Sequence, residues 1–246
     1  MLGTLEPLRT PAGPRDPLAE RIGPERMRAI AEARQRASVH RAEAARLLAR
    51  GQPDGAAGEL TNMLDLARVV STWGSPSTAE AAADLIEAVL EALSQPDGVP
   101  LSRALTSSGG AAIRAGFARL DSNDPAGRMR AVVETIATRE SALRSLMDES
   151  NGEALVRGVA SRYAPSAELG SAEAIDRSVR EAVAFSRALA DGWDRPSRVA
   201  ITTRLRQRQG ADRTGVLIVL LGEAPEACDA DADLRARIAA AVERLP

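Results

Sequence analysis

An all-α fold is the expectation for this 246-residue chain, and three observations lead to it. Alanine, the strongest helix former, is the commonest residue. Hydrophobic residues make up 44% of the sequence but aromatic ones only 2%, so Ala, Leu, Val and Ile must fill the interior. Gly110-Ala-Ala-Ile-Arg-Ala-Gly-Phe-Ala-Arg is echoed by Gly152-Glu-Ala-Leu-Val-Arg-Gly-Val-Ala-Ser at an offset of 42 residues, a period that belongs to stacked helical repeats. The expected architecture is a short right-handed α-solenoid of three to four helical triplets with capping helices.

Residues 1–23 hold Pro7, Pro11, Pro14 and Pro17 and carry no helical or strand period, so they read as a mobile tail. They lack the apolar core of a secretory signal, and Glu6, Asp16 and Glu20 speak against a transit peptide. One helical-repeat domain is expected over 24–246. Pro24 suits the first turn of a helix running to about Arg50, whose apolar face (Met27, Ile30, Ala37, Ala44, Leu47, Leu48) is thin enough for a cap. A helix over Ala56–Trp73 follows. After Gly74-Ser-Pro76 comes an amphipathic one over Ser77–Leu93, with Ser77 and Glu80 spaced as a capping box. Gln95-Pro-Asp-Gly98 reads as a turn.

Two repeats are then expected, over 101–138 and 140–190. The first comprises short helices at Leu101–Ser107 and Ala111–Leu120, separated by Gly109-Gly110, and a third at Pro125–Thr138 burying Met129, Val132, Val133 and Ile136. The second comprises Glu140–Glu149, Glu153–Tyr163 and, beyond a loop through Pro165 and Gly170, Ser171–Ala190, burying Ile175, Val179 and Val183. Glycine between the first two helices of each set permits the positive φ of a sharp reversal. Helices near Ser197–Gln209, Thr214–Glu223 and Ala232–Leu245 complete the chain as a degraded repeat and a cap.

This short–short–long triplet resembles the armadillo repeat, most closely over Leu143-Arg-Ser-Leu-Met-Asp-Glu-Ser-Asn-Gly-Glu-Ala-Leu-Val156. The resemblance covers about 101–190 well and 56–93 more loosely. It implies a solenoid whose third helices line a concave, partner-binding face. Armadillo import receptors carry regularly placed Trp and Asn on those helices; 125–138 and 171–190 contain neither, which speaks against that role.

All 32 basic residues are Arg, so Schiff-base, P-loop and general-base lysine chemistry is excluded. Codon usage of a GC-rich genome is one reading of the missing lysine, and selection against a modifiable amine is the sharper alternative. Net charge is −2, which gives no overall field for nucleic acid or an anionic membrane. The single cysteine, Cys228, excludes an internal disulfide and fits a reducing, cytoplasmic setting. Acidic neighbours should raise its pKa and leave the thiol idle. His40, the only histidine, reads as a surface residue of an Arg-rich helix. Asp229, Asp231 and Asp233 alternate like the start of a calcium loop, but the required glycine and glutamate are replaced by Leu234 and Ala240. That acidic cluster suits the N-terminus of a final helix instead.

No catalytic, cofactor or metal site is expected, and the chain reads as a non-enzymatic protein-binding adaptor or scaffold. Register places Arg128, Arg130, Glu134, Arg177 and Arg180 along the groove. Arg204 and Arg208, one turn apart, form a second docking candidate. The favoured partner is a protein with an acidic or extended segment. An Hsp70-type co-chaperone (nucleotide exchange factor) and a helical DNA-binding regulator are the alternatives.

Overall fold

The computed structural model describes residues 23–94, 101–163, 171–193 and 197–246, and they are helical throughout, with no strand among them. The elements are α1 (Pro24–Ala49), α2 (Pro53–Ser71), α3 (Pro76–Ser94), α4 (Leu101–Ala104), α5 (Ser107–Ala118) and α6 (Arg128–Met147). They are followed by α7 (Gly152–Tyr163), α8 (Ala172–Gly192), α9 (Ser197–Ala211), α10 (Val216–Leu221) and α11 (Ala224–Arg244). The expected tail, the turn at 95–98 and the Pro165–Gly170 loop lie outside the described residues.

Two apolar cores form. The first gathers α1, α2, α3 and α5 around Leu60, Leu64, Ile86, Val89 and Ile113. The second gathers α6 to α10 around Leu143, Val156, Leu189, Trp193, Leu205 and Leu217. Helix α11 joins them, since Leu234 and Leu245 enter the first core and Cys228 the second. The last helix thus packs back on α3 and α5 as well as on α6 and α9. Arg114 of α5 reinforces this return by donating to the carbonyls of Leu245 and Pro246. A strictly linear stack restricts each unit to its neighbours, and this return does not follow that rule.

Several expected boundaries move. The break foreseen at residue 139, between the two repeats, is absent: α6 runs unbroken through Thr138-Arg139-Glu140. Nothing there stops a helix, because the segment has no Gly or Pro. Gly109 and Gly110, expected as a reversal, lie inside α5, capped by the Thr106 side chain. Their value is close approach, since a Cβ at Gly110 would crowd Pro246. Helix α11 begins eight residues earlier than expected, with Pro225 in its first turn, so the aspartates follow the helix start instead of marking it. The start of α3 is closed by Ser75 and Thr78, whose hydroxyl and backbone groups bond reciprocally. Val133, expected in the core, is exposed.

A tight turn leads into α6. Gly127 adopts φ 75°, a left-handed conformation that glycine alone takes without strain, and a Cβ there would overlap the Ser71 carbonyl. Asp124 then turns inward, accepting from the backbone N–H of Met129 at 3.0 Å and of Arg130 at 3.1 Å. This caps the first turn of α6 and fixes the direction of its Arg128 face.

Candidate functional site: a cleft at the seam of the two cores

Between α3, α6, α10 and α11 lies a half-open cleft of about 360 Å³, within the range of ligand pockets. Its floor is one stripe of α6: Arg128, Ala131, Val132, Thr135, Ile136 and Arg139. These follow the i, i+3, i+4, i+7, i+8, i+11 rule of a single helical face. At a rise of about 1.5 Å per residue, the two arginines stand roughly 16 Å apart along the axis. Small and aliphatic residues of the other three helices wall the cleft, and Glu80, Glu223 and Glu226 stand exposed on its rim.

The two arginines differ. Arg139 is held in place: only 12% of its side chain is exposed, Nη1 donates to the Val219 carbonyl at 2.9 Å, and the guanidinium lies 5.9 Å from the Tyr163 ring centroid. Glu223 is 3.7 Å from its Nη2, and its buried Nε has no acceptor among the described residues. Arg128 makes no ion pair among the described residues, and its buried Nη1 also lacks an acceptor. Both arginines bring positive charge to the cleft floor, which favours an incoming anion.

Behind the Arg128 end sits a buried polar cluster. Asp231 of α11, with 0% of its surface exposed, accepts from the Trp193 indole at 3.0 Å. Arg235 places Nε 2.9 Å from the same oxygen, although off the hydrogen-bond line, and donates Nη2 to the Trp193 carbonyl at 3.0 Å. The other Asp231 oxygen, Oδ1, has no partner among the described residues. Burial pushes the Asp231 carboxyl up to about 6; Arg235 opposes this, Asp124 adds to it, and Trp193 and Arg128 oppose it further. Burial likewise raises Asp124, against the two N–H donors that cap α6. Cys228, one turn before Asp231, is driven up to about 12 by burial and then by the Asp231 charge, as its idle reading requires.

The seven expected docking residues do not form one patch. Arg128 lines the cleft. Arg130 turns to the opposite partner and donates to the Ser71 carbonyl at 3.2 Å, while the Glu134 carboxylate lies against Gly74. Arg177 and Arg180 are exposed on α8, where Arg180 pairs with Asp176. Asp176 lies within 4.0 Å of Arg144, so this pair sits beside the far end of α6 from Arg128. Arg208 is clamped in a two-pronged bond to Glu181, whose carboxyl it lowers, and Arg204 is exposed nearby. Both are therefore α8–α9 surface groups. His40 is half-buried, bonding Glu59 across α1 and α2 at 2.6 Å.

The sequence does not single out Arg139, and it marks Asp231 only as one of three alternating aspartates at a helix start. Extending the Arg128 face along an unbroken α6 would have reached Arg139. Asp231 had no such cue, because its partner Trp193 is 38 residues away.

No family model, curated protein or solved structure matches this chain.

Proposed function

We propose that the protein is a non-enzymatic binding module, an adaptor that holds an acidic, extended segment of a partner protein in the α3–α6–α10–α11 cleft. The observation that carries this reading is the cleft floor, where two partly buried arginines flank an apolar stripe. Carboxylates pair with the guanidinium charge that the two arginines present to the cleft, and aliphatic side chains between them cover Ala131, Val132 and Ile136. The exposed rim glutamates are screened by solvent, whereas the floor arginines act through a lower dielectric. The cleft then takes the part of the concave face of an armadillo-like solenoid, with α6 as its lining helix.

The test is capture from a lysate of the native organism, followed by direct binding of overlapping peptides from the retained protein. Wild type is compared with Ala230→Trp, which fills the cleft from an exposed position, and with Arg180→Glu on the α8 surface. Loss of the acidic peptide by Ala230→Trp alone supports the cleft. Loss by Arg180→Glu alone moves the site to α8. Steeply salt-dependent binding of nucleic acid in place of a peptide would overturn the adaptor reading.

A further inference from the structure

We propose that occupancy of the cleft is coupled to the charge on Asp231 through Arg128, so that the protein takes up a proton as it binds an acidic segment. This rests on the cleft reading above and adds its regulation.

The geometry supporting it is a shared cation. Arg128 lies on the cleft floor, yet its Nη1 is turned away from solvent, and Arg128 is one of the charges that act on Asp231. Asp231 follows Ala230 of the cleft wall on α11. Arg128 Nη1 and Asp231 Oδ1 are both buried polar atoms without a partner among the described residues. The cleft and the cluster therefore share one wall and one guanidinium.

The groups around Asp231 are few. Its own helix supplies Arg235, and Asp229 points outward to Arg206. The turn before α6 contributes Asp124, and the first residue of α6 contributes Arg128. The end of α8 supplies the Trp193 indole, and α9 supplies Arg198, which bonds the Trp193 carbonyl at 3.5 Å. Cys228 lies one turn back on α11.

When Asp231 is ionised, it and a ligand carboxylate compete for the same positive charge in a poorly screened space. Their mutual repulsion weakens binding. A neutral Asp231 leaves Arg128 to the ligand. By reciprocity, a bound carboxylate favours the protonated form of Asp231, which titrates in this fold at about 6.

The probe is a capped hexapeptide of alternating aspartate and leucine, with an asparagine–leucine peptide as control. Titration calorimetry between pH 5 and 7.5, where the peptide carboxylates stay ionised, gives the affinity. Buffers of different ionisation enthalpy give the proton count. The expected result is proton uptake by the wild type and an affinity that falls about fivefold or more across this range. In Asp231→Asn the affinity should stay flat and the uptake should be lost. Binding of constant affinity without proton uptake overturns the coupling but leaves the cleft reading intact, as does an equal pH slope in both proteins. Failure of the aspartate peptide to bind at any pH overturns both. Proton uptake in the wild type provides the test even if the variant proves unstable.

Discussion

Replacing Asp231 by asparagine should remove a pH-dependent load on the folded state. The carboxyl has an ordinary value of 3.8 and is pushed to about 6 by burial. That difference of roughly two units, at 1.36 kcal/mol each, amounts to about 3 kcal/mol. The sign follows from the direction of the shift. A folded pKa above the unfolded one means that the folded protein holds the proton more tightly. Stability from the neutral group is complete below about pH 4 and is lost as pH rises through 6. The asparagine amide keeps an acceptor for the Trp193 indole but carries no charge at any pH. Wild-type stability relative to Asp231→Asn should therefore fall by about 3 kcal/mol between pH 4 and pH 7.5. For a chain of this size that is roughly 6–12 °C in relative melting temperature. Asp124, shifted in the same direction, is present in both chains. Urea denaturation at five pH values measures the difference. Parallel stability curves, or a wild type that gains on the variant as pH rises, would refute the buried-carboxylate argument.

Other substitutions probe the same framework. Gly127→Ala should cost about 2 kcal/mol or more by urea midpoint, because its φ of 75° is strained for alanine and the new Cβ meets the Ser71 carbonyl. Leu143→Ala, in the second core, should cost about 2–5 kcal/mol by the same measurement; a loss below 1 kcal/mol would show that α6 is not packed there. Cys228, buried and held up at about 12, should react with a thiol reagent at pH 8 only as fast as the protein unfolds, and immediate labelling of the native protein would contradict its placement.

Periodicity made the helices legible because each buries a face that repeats every three or four residues. The Leu85–Ile86–Val89–Leu90–Leu93 stripe of α3 and the Ile175–Val179 stripe of α8 are buried as it requires. Glycine was a poorer guide. Gly109 and Gly110 permit close packing inside α5, a need set by residues far along the chain. The break at residue 139 came from imposing a triplet on a segment without a helix breaker. Pro225 was a usable start signal for α11, and reading from it would have placed Asp231 inside the helix instead of at its end. The site was only half visible. Arg128 follows from register along α6, but its place beside the Asp231 cluster and the Asp231–Trp193 bond arise from packing between α6, α8 and α11.

The central claim is that an acidic segment lies along the α6 floor, and methyl-resolved NMR tests it most directly. Alanine, valine and isoleucine methyls are labelled, and the aspartate–leucine peptide is added at pH 5.5. Shifts should concentrate at Ala131, Val132, Ile136, Ala227 and Ala230, with Val199 on the exposed face of α9 unmoved. Shifts confined to α9, or none at saturating peptide, would contradict it.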